Sequence, residues 1–212
     1  MVKLPEPPDP AGLRDTPPEI TVLTADAELW RVYFRGGCYP STWDKFRSFG
    51  PAAGGRFDHH DEPPGEQERR ILYAATSTEA ATTCLAEVFQ ERRSVNVRRD
   101  EPWLACFSLA GDVALLDLTG RWPTRAGASM AINSGPRPRT RRWSRAIYAA
   151  YPEIQGLLYA SSMNAGRPAV ALYERAGDAL PTNTIFNEPL SHPVVLPALR
   201  RVASDLGYGL IP

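Results

Sequence analysis

The chain has 212 residues with 24 basic and 24 acidic side chains, and this zero formal charge removes the broad positive field that general phosphate-backbone binders rely on. Its 43% hydrophobic content suits one globular core, and its longest apolar run, Ala146 to Tyr151, falls far short of the roughly 20 residues that span a bilayer. The N-terminus lacks the apolar stretch of a secretory signal, and the scattered Cys38, Cys84 and Cys106 form neither a disulfide framework nor a metal knuckle, so a cytoplasmic protein without a metal is expected.

Residues 1–20 hold six prolines, which predicts an extended arm running over the surface. A domain core is expected over residues 21–178, with residues 179–212 as an extension packed on it. Glu28 to Arg35 reads as a strand carrying Arg31. The loop that follows ends in Gly54-Gly55-Arg56-Phe57, where the glycines allow positive φ or close approach to a ligand. Asp58 to Arg70 is polar and reads as a surface loop; its adjacent His59 and His60 cannot share a helix face as zinc motifs require. Ile71 to Ala75 is expected to be a short buried strand carrying Tyr73. Thr76 and Glu79 resemble a capping box opening a helix that ends near Arg92, with Cys84, Leu85, Val88 and Phe89 on its core face. Trp103 to Leu109 and Val113 to Leu118 read as a hairpin turning at Gly111-Asp112. A basic loop over residues 134–142 leads into a helix from Thr140 to Tyr151. Strands at Leu157 to Ser161 and Ala169 to Glu174 and a helix at Pro197 to Leu206 complete the chain. Strands outnumber helices in mixed order, so the predicted class is α+β around a mixed sheet.

Four polar residues lie on or beside these buried elements: Arg31, Arg56, Tyr73 and Glu87. Glu87 is the most informative, because at 100° per residue it falls at the flank of the apolar stripe, near Ala80, Thr83 and Cys84, and so can face a cleft. Alone, each has a plainer reading: a solvated helix glutamate, exposed arginines, a core tyrosine.

In order and spacing the chain resembles the RES-domain family, the toxin halves of bacterial toxin–antitoxin pairs. The matching stretches are Leu-Trp-Arg31-Val-Tyr, Gly-Gly-Arg56-Phe, Leu-Tyr73-Ala-Ala, Cys-Leu-Ala-Glu87-Val, Arg-Trp-Ser144 and Gly156-Leu-Leu-Tyr-Ala-Ser161-Ser162. The resemblance implies a fold similar to ADP-ribosyltransferase toxins and consumption of NAD⁺ as substrate, with no cofactor, by hydrolysis or by phosphorolysis with phosphate as co-substrate. It also implies a helix-turn-helix (Xre-type) antitoxin as partner and a homo-oligomer within the toxin–antitoxin complex. On this reading Arg31 and Arg56 hold the pyrophosphate as bidentate forks, with Gly55 allowing close approach. Glu87 stabilises the sugar cation, Tyr73 stacks on a ring or binds the ribose, and Ser144 contacts phosphate from the start of its helix. The family serine falls at Ser144 or at Ser161-Ser162, and Ser144 is preferred.

Two other functions compete. One is an ADP-ribosyltransferase acting on a protein. The other is a non-enzymatic nucleic-acid module built on Arg137, Arg139, Arg141, Arg142 and Arg145, which the zero net charge and the single interleaved aromatic, Trp143, disfavour. No membrane contact and no direct nucleic-acid contact are expected.

Overall fold

The computed structural model describes residues 4–212. A short helix, α1 (Pro10–Arg14), begins at Asp9, whose carboxylate accepts the Gly12 amide at 2.7 Å. Strands β1 (Ile20–Leu23), β2 (Glu28–Phe34), β3 (Arg47–Gly50) and β4 (Gly65–Ala75) precede helix α2 (Ala80–Val88). Then come β5 (Ser94–Asn96), β6 (Pro102–Ser108), β7 (Val113–Asp117), α3 (Trp122–Arg125) and α4 (Arg137–Ala150). The chain closes with β8 (Gly156–Ala160), β9 (Pro168–Tyr173), β10 (Phe186–Pro189), α5 (Leu196–Leu206) and β11 (Gly209–Ile211). This is the expected α+β class.

Nine strands form one mixed sheet in the order β1-β7-β8-β9-β4-β2-β6-β10, with β3 added on β4; β5 and β11 form a separate parallel pair. Within the large sheet β7 and β8 run parallel and the other pairs antiparallel. Four strands lie between β7 and β6, yet only residues 109–112 join them. A flat sheet would set those strands about 24 Å apart, beyond the reach of about 18 Å for that linker, so the sheet must curl. Alternation along the strands fills both faces. Leu72, Phe107, Leu115, Val170 and Leu172 pack inside the curl. Ile71, Leu104, Leu157, Ala171 and Tyr173 meet Leu85 of α2, Trp143 and Ile147 of α4 and Leu199 of α5 on the outer face.

Several expectations are corrected. Trp103 to Leu109 and Val113 to Leu118 do not pair as a hairpin: β6 lies between β2 and β10, and β7 between β1 and β8. The proline-rich segment does not simply run over the surface. Leu4 and Leu13 are buried, the Trp143 Nε1–H donates to the Pro5 carbonyl at 2.8 Å, and Glu6 bridges Arg139 and Arg142. The polar stretch from Asp58 to Arg70 is half strand, since β4 starts at Gly65, and its Asp58, His59 and His60 are fully buried. Helix α2 starts later than Thr76, because Ser77 takes φ 122° and Glu79 stands at the N-cap without a side-chain cap bond. It also ends at Val88, four residues short of Arg92.

Candidate active site

The Gly-Gly-Arg-Phe loop is built on one buried carboxylate. Asp58 Oδ2 accepts the Ala52 amide at 2.6 Å and the Arg47 guanidinium at 2.7 Å, while Oδ1 pairs with His60 Nδ1 at 2.5 Å. Burial works to raise the Asp58 pKa, but the His60 hydrogen bond, the Arg47 charge and the Ala52 N–H outweigh it and hold the carboxyl well below its ordinary value. Both Asp58 and Tyr73 press on Gly55. A Cβ there would stand 3.1 Å from Asp58 Cβ and 3.3 Å from the Tyr73 hydroxyl oxygen, so a side chain at Gly55 would have to push these neighbours back by a few tenths of an ångström. Neither Gly54 nor Gly55 adopts positive φ. The Tyr73 oxygen accepts the Phe57 amide at 3.1 Å, fixing the loop to β4.

Beside this loop lies a cleft of about 390 Å³ lined by Arg47, Gly55, Arg56, Tyr73, Glu87, Arg137 and Tyr159, among others. Glu87 reaches it from the last turn of α2. Its Oε1 accepts the Ser161 hydroxyl at 2.5 Å, and that hydroxyl oxygen accepts the amides of Met163 and Asn164 at 3.1 Å each, which aims its proton at the carboxylate. The Gln90 amide stands 3.4 Å from Oε2. Arg56 anchors one guanidinium nitrogen on the Gly135 carbonyl at 2.6 Å; burial lowers its pKa and the Glu87 charge opposes that shift. The cleft is therefore lined by an oriented carboxylate, by guanidinium groups and by tyrosines.

Four of the six residues singled out from the sequence meet here: Gly55, Arg56, Tyr73 and Glu87. Arg31 and Ser144 do not line the cleft. Arg31 alternates with the outward-facing Val32 on β2 and leaves the strand on the other side. Its Nη2 donates to the Lys45 carbonyl at 3.1 Å, its Nη1 is buried without a partner, and burial lowers its pKa to about 10. Ser144 is fully buried and donates to the Phe57 carbonyl at 2.7 Å. Because α4 starts at Arg137, Ser144 lies in mid-helix, without the free N–H groups of a helix start. The serine at Glu87 is Ser161.

The cleft also contains residues the sequence did not single out as a site. Arg47 reads as a loop cation until Asp58 is seen to hold it, and Tyr159 reads as one more aromatic of a buried strand. Cys84 donates its thiol to the Trp30 carbonyl, and burial pushes its pKa up to about 12, which leaves no thiolate nucleophile there. Among the described residues no cluster of His, Cys, Asp and Glu is arranged to hold a metal ion. The basic run makes contacts within the chain, most of them at the surface. Arg137 meets Glu91, Arg139 and Arg142 meet Glu6, Arg141 meets the carbonyls of Ala52 and Ala53, and Arg145 meets the His60 carbonyl.

A family model described as the RES domain matches residues 28–192, most of the chain. The chain belongs to the RES-domain family. Its fold is similar to that in the crystal structure of the M. tuberculosis MbcT–MbcA toxin–antitoxin complex, with a TM-score of 0.56 and 16% identity over 92% of this chain and 96% of that one. At that identity the likeness establishes the fold. No curated protein matches the chain. In this RES domain the cleft residues come from β3, β4, α2 and the residues just after it, the start of α4, β8 and the loop before β4, all inside the matched span. Among the described residues no helix is long and apolar enough to cross a membrane.

Behind the loop, His59 lies between the rings of Tyr148 and Tyr173, each centroid 4.4 Å away, and its Nε2 is 3.5 Å from Glu174 Oε2. Burial lowers the His59 pKa. Burial works to raise Glu174, but His59, the Arg70 amide and the Tyr148 hydroxyl hold it down to about 2. Both folded values lie below the unfolded ones, 6.5 for His59 and 4.5 for Glu174. The His59 contribution is therefore complete above pH 6.5 and is lost as pH falls below it; that of Glu174 is complete above pH 4.5 and is lost toward pH 2. The expected result is a melting temperature that declines steadily from pH 7 to pH 4, with His59→Gln flattening the upper part of that decline in thermal scans.

Proposed function

We propose that the chain is an NAD⁺-cleaving toxin of a toxin–antitoxin pair, acting in the cytoplasm and neutralised by a helix-turn-helix antitoxin. The observation that carries this reading is the Glu87 carboxylate, held by Ser161 beside a cleft lined by Arg47 and Arg56. The family resemblance supplies the substrate class, and the M. tuberculosis neighbour, a toxin bound to an antitoxin, supports the partner class.

NAD⁺ carries a pyrophosphate at its centre, between its two riboses, and a labile glycosidic bond to the nicotinamide at one end. Arg47 and Arg56 are both tethered, by Asp58 and by the Gly135 carbonyl, so their remaining N–H groups meet an anion with little further loss of freedom. Arg31 stays outside this pair, beneath Lys45. As the bond from ribose C1′ to nicotinamide breaks, its electron pair leaves with the nicotinamide and positive charge develops on the sugar. In this mechanism Glu87 supplies the fixed carboxylate that stabilises that charge. Water or phosphate then bonds to C1′, and in the hydrolytic case its proton passes to solvent. Nicotinamide departs as a neutral ring, so no strong acid is needed.

Expression without the antitoxin tests this in cells. Growth arrest should accompany a fall in cellular NAD⁺. Arrest with NAD⁺ intact would favour ADP-ribosyl transfer to a protein instead.

A further inference from the structure

The proline-rich arm lies outside the matched RES span, which starts at residue 28, yet it is fastened to both ends of α4. At one end Leu4 is buried and shares the outer-face core with Ile132 and Trp143. Its carbonyl accepts Arg139 Nη1 at 2.7 Å, and the next carbonyl, that of Pro5, accepts the Trp143 Nε1–H at 2.8 Å. At the other end Leu13 is buried, Arg14 donates to the carbonyls of Ala149 and Ala150 at 3.1 Å each, and the Tyr151 hydroxyl stands 2.7 Å from the Leu13 carbonyl. The Glu6 ion pairs are exposed to solvent and contribute little, so the buried leucines and the backbone carbonyls do the fastening.

The first of these two ends bears on the cleft. Leu4 Cδ2 packs on Gly135, in the turn before α4. A Cβ at Gly135 would stand 2.9 Å from that methyl group and 2.7 Å from the Ala131 carbonyl oxygen, so only glycine fits there without a backbone shift. The Gly135 carbonyl is in turn the one hydrogen-bond partner that Arg56 has among the described residues, at 2.6 Å. An arginine held in place before an anion arrives loses less freedom on binding it. Contact therefore runs from the arm through Gly135 to a guanidinium of the cleft.

We infer that Leu4 is a positioning residue and the arm an internal strap: by pressing on Gly135 it fixes the carbonyl that holds Arg56. The strap itself acts on the turn whatever anion enters the cleft, while its effect on NAD⁺ rests on the nucleotide reading above. The catalytic unit then extends beyond the matched RES span to the residues that clamp α4.

The test compares Leu4→Ala with Leu13→Ala in the full chain. Both remove a buried leucine from the same arm and should lower the melting temperature to a similar degree, but Leu4 packs on Gly135 while Leu13 lies at the far end of α4. Leu4→Ala is expected to raise the KM for NAD⁺ about tenfold with kcat little changed, and Leu13→Ala to leave both near wild type. Added to Arg56→Ala, Leu4→Ala should raise KM no further, because its effect passes through that arginine. Without any nucleotide, hydrogen exchange at the Ser134 and Gly135 amides, both bonded to the Ala131 carbonyl, should quicken in Leu4→Ala and not in Leu13→Ala. A Leu4→Ala protein with wild-type KM, an equal rise in Leu13→Ala, or a rise that multiplies with that of Arg56→Ala overturns the strap and leaves NAD⁺ cleavage standing. A folded wild type inert toward NAD⁺ overturns the nucleotide reading, and exchange alone then decides the strap: unchanged Ser134 and Gly135 amides in Leu4→Ala overturn it as well.

Discussion

Glu87→Gln is expected to lower NAD⁺ turnover by roughly a hundredfold to a thousandfold while changing NAD⁺ affinity far less. The side chain is nearly isosteric, and Gln90 and Ser161 remain within reach, so the cleft should keep its shape. In the proposed mechanism the loss is that of the negative charge that stabilises the sugar, which matters most when the sugar is cationic. Parallel measurement of turnover, NAD⁺ affinity and melting curve separates these effects. A variant that turns over at the wild-type rate would remove Glu87 from the chemistry, and one that loses affinity in step with turnover would make it a binding residue only.

The second large effect concerns stability. Asp58→Ala is expected to cost about 3–5 kcal/mol, a large part of the about 5–15 kcal/mol typical of a domain. Removal of this carboxylate leaves the fully buried His60 ring and the Ala52 amide without their acceptor and frees Arg47 from its anchor. The Arg47 side chain is 32% exposed and regains some water, so most of the loss should come from the buried partners. Urea unfolding measures the change, and a loss below about 1 kcal/mol would show that the loop stands without Asp58. The same variant should weaken NAD⁺ binding even in conditions where it stays folded, because Arg47 no longer points reliably into the cleft.

How much of this was legible in the sequence depended on the kind of signal involved. Where a strand is buried on both faces, as in β8 and β9, the continuous apolar run locates the element to within a residue or two. The first half of β4 pairs only with β3 and alternates between half-buried and exposed positions, so Gly65 to Arg70 read as loop. Nothing local in β6 and β7 reveals that four strands intervene between them, since adjacency in chain suggests a hairpin unless the sheet curls. Glu87 was found because helix periodicity and the family's order of motifs agree on it. The sequence favours Ser144 over Ser161 for its place after Arg-Trp at an expected helix start, and only the tertiary structure shows that it is Ser161 that faces Glu87 while Ser144 faces the Phe57 carbonyl. His59 and His60 read as surface polar residues. Their burial depends on Asp58, Glu174 and two tyrosine rings that are distant in sequence or unremarkable by type.

The central claim is that this cleft breaks the nicotinamide–ribose bond of NAD⁺. Incubating the purified, folded chain with NAD⁺, with and without phosphate, and identifying the products by mass tests it most directly. Free nicotinamide should appear in equal amount with ADP-ribose, or with phosphorylated ADP-ribose where phosphate is the nucleophile. NAD⁺ recovered intact after prolonged incubation with the folded protein in both conditions would contradict the claim.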